Sequence, residues 1–186
     1  MGVAKGFLVV LIAFWTLWIA GTYFTSLVVP TNSLDQAQIT WLFFYALGMV
    51  VGGGMLLWAV RTVFAHVLVK YGLKAPADFK ALLGNYGISH FPLIIGAGSV
   101  FFVFFGNIGI FLGLFLATFS LLFMYLFFCQ ALMHTCELSW RKSLGIMVIS
   151  ESLIVILTLL IWGSFAGFEN IANVLESSPF AAFLVQ

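Results

Sequence analysis

The chain has 186 residues, of which 63% are apolar and only 7% are charged, and its mean hydropathy is +1.19. A soluble domain is about half apolar and about a quarter charged, so this composition excludes water as the solvent. The seven basic residues form no patch of the kind that binds nucleic acid. At about 20 residues per bilayer crossing, the length allows five or six spans in one membrane domain.

Five apolar segments predict an all-α, polytopic membrane helix bundle formed by a single domain, 1–186. Their ranges are 6–29, 39–64, 88–105, 110–133 and 143–162. Pro30 closes the first segment, which exceeds the apolar stretch of about 7 to 15 residues in a cleavable signal peptide, so we favour a membrane anchor over that alternative. Within the inner loop, 70–87, the residues after Pro76 predict a short amphipathic helix on the membrane surface, and the tail, 163–186, is predicted to rest at the interface.

The basic residues predict the orientation, because the cytoplasmic flanks of membrane helices are enriched in Lys and Arg. With five spans and a cytoplasmic N-terminus, all seven fall on one side of the membrane and the C-terminus lies outside. They are Lys5, Arg61, Lys70, Lys74, Lys80, Arg141 and Lys142. Asp35, Glu169 and Glu176 fall on the other side. Removing any one span would break this separation, which supports five.

Small residues predict where the helices pack, because helices in lipid associate through close backbone approach and a few interhelical hydrogen bonds. Gly48 and Gly52 are four apart in the second segment, and Gly109, Gly113 and Ala117 keep that spacing in the fourth. Gly96 and Gly98 open a smooth patch on the third. Pro92 predicts a kink in the third segment, because proline removes a backbone hydrogen bond.

Glu151 is the most unusual residue, because it falls inside the fifth predicted span, nine positions after Lys142. This places its carboxylate on the order of 13 Å into the membrane, where an ionisable side chain is costly and marks a candidate functional site. Candidate partners are Ser89, His90, Gln130 and His134, with Ser150 and Ser152 beside Glu151. Two interpretations stay open: a proton or ion pathway, and the favoured one, a protonated Glu151 in a structural hydrogen bond between helices.

Three histidines and two cysteines raise the question of a metal or haem. No HxxxH or CxxC pair and no carboxylate accompanies His66 and His134, so we predict no metal and no cofactor. Cys129 and Cys136 allow a disulfide, but we interpret them as apolar residues. The sequence contains no phosphate loop, serine elbow or pair of catalytic carboxylates, so an enzyme has no positive support.

Two stretches resemble the Yip domain family of five-span membrane proteins, named for Ypt-interacting proteins. The run FKALLGNYGISHFPLII, residues 79–95, carries Gly84, Tyr86 and Pro92 in the order of that family's lead-in and third span. The run ELSWRKSLGIMVIS, residues 137–150, resembles its short inner loop. The resemblance implies a cytoplasmic N-terminus. Eukaryotic members bind lipidated GTPases with the help of an N-terminal extension, whereas the compact prokaryotic relatives, which this chain resembles more, mostly lack an assigned activity.

The favoured function is a non-enzymatic binding or scaffolding subunit in contact with the lipid bilayer and with a membrane-protein partner or a second copy of itself. The location would be the plasma membrane if the source is prokaryotic. The alternative is a small transporter or channel component with a polar path around Glu151. An intramembrane enzyme is a third possibility and would need a second polar residue at catalytic distance from Glu151.

Overall fold

The computed structural model describes residues 2–28 and 36–166, and in this part of the chain all regular secondary structure is helical. The predicted all-α class is therefore confirmed. Seven α-helices follow one another: α1 Val3–Val28, α2 Gln36–Leu47, α3 Gly53–Val67, α4 Phe79–Ile88, α5 Phe91–Ala97, α6 Gly106–Cys136 and α7 Trp140–Ala166. Single π-helical turns, Gly48–Gly52 and Leu68–Gly72, precede and follow α3, and a 3₁₀-helix, Gly98–Phe105, follows α5. The predicted turn after Pro30 and all of the tail beyond residue 166 lie outside the described residues.

Within residues 2–28 and 36–166, four helical stretches are long and apolar enough to cross a membrane. They are Val3–Tyr23, Ile39–Gly72, Phe79–Cys136 and Trp140–Ile161. The third stretch doubles back on itself at Gly106, whose φ of 66° and ψ of −150° fall in a region that essentially only glycine occupies. Beyond this point α6 packs against the 3₁₀-helix in the opposite direction, so the two form a hairpin.

The hairpin is closed by direct backbone contact at two glycines of α6. A Cβ atom on Gly109 would overlap the carbonyl oxygen of Phe102, and one on Gly113 would lie 2.9 Å from the carbonyl oxygen of Ser99. Further from the turn, a Cβ on Gly96 of α5 would lie 2.8 Å from the Cβ of Ser120 of α6. These contacts explain the close approach, because any side chain at Gly109 or Gly113 would push the two segments apart.

A second close approach joins α1 to α4. A Cβ on Gly6 would come within 2.8 Å of the Cα of Gly84, and a Cβ on Gly87 would lie 2.5 Å from the backbone of Gly6. Three glycines therefore let two helix backbones touch. Only Gly84 of this group was singled out in the sequence, through the family resemblance.

The buried core lies where α1, α3, α4 and α6 meet. Its most enclosed members are Val10, Ala13, Ala65, Val69, Leu82, Tyr86, Phe128, Leu132 and Cys136. The short helix predicted after Pro76 is present as α4, with Asp78 capping its first turn, but its Leu82 and Tyr86 pack against protein and not against lipid. The reason is that α4 is enclosed on two sides, by α1 at its glycines and by α3 and α6 at its large side chains.

Pro92 does not kink the interior of a continuous helix. The chain leaves the helical ladder at Ser89 and His90, and α5 begins at Phe91 with Pro92 in its first turn. A proline is tolerated there because the first N–H groups of a helix have no intrahelical partner. The predicted kink is thus a full break between α4 and α5.

Candidate functional site

Glu151 pairs with Arg61. The Arg61 Nη2 donates to the Glu151 Oε2 at 2.8 Å, and the Arg61 Nε lies 2.5 Å from the Glu151 Oε1. The first contact is a charge-assisted hydrogen bond, whereas the second is a close approach of the two charges without hydrogen-bond geometry. The side chain of Arg61 is 7% exposed and that of Glu151 is 21% exposed. The pair joins α3 to α7 in the interior of the bundle.

The two charges meet because they lie at the same depth on helices that run in opposite directions. Arg61 precedes Lys70 by nine residues, and Glu151 follows Lys142 by nine residues. At about 1.5 Å per residue, each charge is on the order of 13 Å from the basic residue at its end of the helix. The first turns of α7 also contact the π-turn after α3, which brings those ends together.

Phe128 of α6 lies at the centre of the site. The guanidinium carbon of Arg61 is 4.9 Å from the centroid of the Phe128 ring, a distance at which a cation is attracted to an aromatic face. The same ring stacks on Tyr86 at 5.0 Å and meets His90 edge-on at 5.2 Å. The side chains that surround the ion pair are therefore largely aromatic.

His90 is fully buried, and its two ring nitrogens differ. Its Nδ1 lies 2.9 Å from the Tyr86 carbonyl oxygen, so this nitrogen carries the proton and donates it. Its Nε2 is then an acceptor, and the described residues supply no hydrogen-bond partner for it. Phe14 and Phe128 pack against the ring. Phe128 contacts both His90 and Arg61, and Arg61 pairs with Glu151, so His90 is linked to Glu151 only through these two side chains.

The other predicted members of the polar cluster do not face Glu151. Gln130 and His134 have exposed side chains, whereas Phe128 and Leu132 of the same helix are buried. Consecutive helical residues are about 100° apart, so Gln130 is about 200° around α6 from Phe128. Ser89 and Ser150 are buried and donate within their own chain segments, to Asn85 and Met147, and Ser152 donates to Val148.

Cys129 and Cys136 are free and buried, and the Cys129 thiol donates to the Met147 sulfur at 3.5 Å. Within ranges 2–28 and 36–166, no three His, Cys, Asp or Glu side chains come together in a way that would hold a metal ion. His66 instead packs on the Phe79 ring at 5.3 Å.

Five of the six predicted packing glycines divide into two groups. Gly96, Gly109 and Gly113 are used inside the hairpin, as described above. Gly48 and Gly52 are exposed, and no neighbouring atom of the described chain lies within 4 Å of a Cβ built on either. Among the residues that the structure describes, no helix therefore approaches these two glycines closely.

A groove opens beside Glu151 between α6 and α7, with a volume of about 470 Å³. It is lined by Tyr125, Met147, Val148, Glu151, Ser152, Val155 and Ile156. The groove is shallow, because Val148, Val155 and Ile156 are each more than half exposed. It is largely apolar, and Glu151 is one of its lining residues.

Arg61 was not recognised from the sequence as the partner of Glu151. Arg61 was counted with the basic residues at the inner end of the second span, although it falls inside the predicted range 39–64. An arginine inside an apolar segment is as costly as a glutamate, so each charge should have prompted a search for the other. Their equal spacing from Lys70 and Lys142 was the available signal.

Comparison of the chain with family models, with curated proteins and with solved structures finds no match. The resemblance to the Yip domain family stays a prediction.

Proposed function

We propose that this chain is a non-enzymatic, five-span membrane protein that acts as a binding or scaffolding subunit, with a Yip-like architecture. The observation that carries the proposal is the contrast between the glycines. Gly96, Gly109 and Gly113 are in close contact with other segments of the chain, whereas Gly48 and Gly52 are exposed and no atom of the described residues lies within 4 Å of their Cβ positions. Small residues on a membrane helix let a second helix approach closely, so this face suits a partner subunit or a second copy of the chain.

The hairpin at Gly106 supports five spans. The seven residues of α5 and the eight of the 3₁₀-helix extend about 26 Å, at about 1.5 and about 2.0 Å per residue, compared with a hydrocarbon core about 30 Å thick. The stretch Phe79–Cys136 would then cross twice. Five crossings bring the basic residues to one side, with the N-terminus in the cytoplasm and the C-terminus outside.

The ion pair supports a binding role more than a conducting one. Arg61 neutralises Glu151 through two contacts, and the pair fixes α3 against α7. A buried charge that is matched in this way contributes to a defined arrangement of helices. Around it, Trp58 of α3 donates to the Leu83 carbonyl oxygen of α4, which adds a further link between helices.

The experiment is extraction of the tagged protein from its native membrane in mild detergent, followed by mass spectrometry of the co-purifying proteins. We expect a stoichiometric membrane partner, or a homo-oligomer, that is lost in the double variant Gly48→Leu/Gly52→Leu. The matched control is Gly53→Leu, because Gly53 is also exposed with free space around its Cβ position but lies about 100° around the helix from Gly52. A wild-type protein that emerges as a monomer without partners contradicts the proposal.

The second candidate is a small transporter or channel component, and the groove beside Glu151 is the observation that favours it. Substituting Glu151 alone does not test this idea, because it would leave the charge of Arg61 unpaired. The double variant Arg61→Met/Glu151→Leu removes both charges and keeps apolar side chains of similar length. If flux of protons or solutes into reconstituted vesicles disappears in this variant while partner binding stays, the transport function is supported; partner binding without flux in the wild type supports the scaffold.

A further inference from the structure

The groove between α6 and α7 combines a largely apolar wall with one carboxylate. Val148, Val155 and Ile156 of α7 line it along the helix, and Tyr125 of α6 closes the other side. Glu151 lies between them with Ser152 beside it, so any molecule in the groove meets a carboxylate partway along a largely apolar surface. An elongated apolar molecule with one polar group matches this pattern.

Glu151 has acceptor capacity that Arg61 does not use. An ionised carboxylate offers about four lone-pair positions. Arg61 approaches each of the two oxygens once. Ser152, the neighbouring hydroxyl, donates to the Val148 carbonyl oxygen of its own helix at 2.9 Å and so does not serve Glu151 in this arrangement. A hydrogen-bond donor that enters the groove would therefore find an acceptor at Glu151.

The net charge of the Arg61–Glu151 pair favours a hydrogen-bond donor that is itself uncharged. The carboxylate already has a guanidinium against it, so the pair has no net charge. An ammonium ion in the groove would add an uncompensated positive charge in the apolar interior, and a carboxylate or phosphate would add a negative one beside Glu151, both at high cost. A hydroxyl group supplies the donor without a charge.

We propose that this groove binds a neutral membrane amphipath, an alcohol, whose hydroxyl donates to Glu151 and whose apolar chain lies along Val148, Val155 and Ile156. The site is separate from the Gly48–Gly52 face and does not depend on the scaffolding role. The ion pair then has a second role, because Arg61 holds the carboxylate in a fixed orientation towards the groove.

The test uses the detergent-purified protein and three photoreactive probes with the same eighteen-carbon chain and the same diazirine position: octadecanol, octadecylamine and octadecanoic acid. Labelled peptides are identified by mass spectrometry. We expect octadecanol to label the α6–α7 peptides that contain Tyr125 and Val155 at least tenfold more than either charged probe, and excess unlabelled octadecanol to suppress that labelling. Equal labelling by all three probes would show ordinary contact with acyl chains and would overturn the proposal, as would a preference for the amine or the acid.

Two variants locate the site. Val155→Trp fills the groove from a half-exposed position and should reduce octadecanol labelling at least tenfold, whereas Leu153→Trp, about 200° around α7 from Glu151, should leave it unchanged. Arg61→Met/Glu151→Leu removes the acceptor without leaving a lone charge and should reduce the labelling to the level of the acid. Undiminished labelling in either the Val155 variant or the double variant contradicts the assignment. The Gly48→Leu/Gly52→Leu variant should label normally, so loss of a partner and loss of this ligand are distinguishable.

Discussion

The two ends of the bundle are held together differently. At the basic end, defined as the half of the bundle that contains the ion pair, Lys70 and Lys142, the glycine contact between α1 and α4 is supplemented by side-chain bonds between helices. These bonds join Arg61 to Glu151, Trp58 to the Leu83 carbonyl, and Asn85 Nδ2 to Thr135 Oγ1 at 2.8 Å. At the hairpin end, around Gly106, the chain segments approach through glycine contacts, and large side chains such as Phe104, Phe105 and Phe111 remain exposed.

The difference shows how specificity is obtained in an apolar solvent. Burial of apolar side chains contributes little to association in lipid, because lipid tails are as apolar as the side chains themselves. Glycine contacts give close packing without fixing one partner group to another, whereas a polar bond is satisfied in one register only. We therefore expect the basic end to be the more rigid of the two.

Both cysteines report on the basic end. Cys129 and Cys136 are buried in the half of α6 that leads to this end, and no other cysteine occurs in the chain. The rate at which a maleimide alkylates them in detergent therefore measures opening of that end. A change confined to the hairpin should leave this rate nearly constant.

The largest effect is expected at the ion pair. Glu151→Ala leaves the buried Arg61 without its partner, and breaking such a pair costs about 3–5 kcal/mol. Since each 1.4 kcal/mol corresponds to about a factor of ten, cysteine alkylation should accelerate at least about 100-fold. Stopped alkylation followed by mass spectrometry gives the rate.

A double variant is the control for this prediction. Arg61→Met/Glu151→Leu replaces both charges with apolar groups, which is often neutral for stability, so its alkylation rate should return close to the wild-type value. If the double variant opens as fast as Glu151→Ala, the pair does not account for the rigidity of the basic end.

The next effect concerns the contact between α1 and α4. Gly6→Ala places a methyl group against the backbone of Gly84, where no flexible side chain can give way, so we expect a loss near the upper end of the range of about 1–3 kcal/mol that overpacking costs. Thermal unfolding monitored by circular dichroism in detergent measures it. Gly2→Ala is the matched control, since no atom of the described chain lies within 4 Å of its Cβ position. Equal melting temperatures would contradict the contact.

What could be predicted of this fold depends on how far apart in the sequence the interacting residues lie. Apolar segments are local features of the sequence, so the helical class and the break between the segments 88–105 and 110–133 can be predicted from composition and spacing. Contacts between helices are not local. Gly6 touches residues about 80 positions away, and Arg61 pairs with a residue 90 positions away, so sequence spacing alone does not connect them.

The errors in the candidate site have the same origin. Gln130 and His134 were predicted in the same half of the membrane as Glu151 but face outwards on α6, and position along the helix was the only coordinate that the sequence supplied. The direction in which each side chain points from α6 can be assigned only with the buried positions Phe128 and Leu132 as a reference. The charge inside the second segment was the one long-range clue that the sequence contained, because an arginine in an apolar helix implies a partner.

A smaller effect is expected at the hairpin. Gly109→Ala forces its methyl group onto the Phe102 carbonyl, but the 3₁₀-helix is exposed at Phe104 and Phe105 and can move, so the loss should be near the lower end of about 1–3 kcal/mol. Gly98→Ala, with free space around its Cβ position, serves as the control. The cysteine alkylation rate should stay within about twofold of wild type. A rise comparable to that in Glu151→Ala would mean that the two ends open as one unit.

The smallest effect tests whether a single neutral bond contributes to the rigidity of the basic end. Thr135→Val removes the acceptor for Asn85 and keeps the side-chain shape, and interhelical hydrogen bonds in membranes contribute about 0.6 kcal/mol on average. Alkylation of the adjacent Cys136 should therefore accelerate about threefold. Thr158→Val is the matched control, because the Thr158 hydroxyl donates to Ile154 within its own helix and joins no second helix. If both variants alkylate at the same rate, the rigidity of the basic end depends on the ion pair and not on the neutral polar contacts beside it.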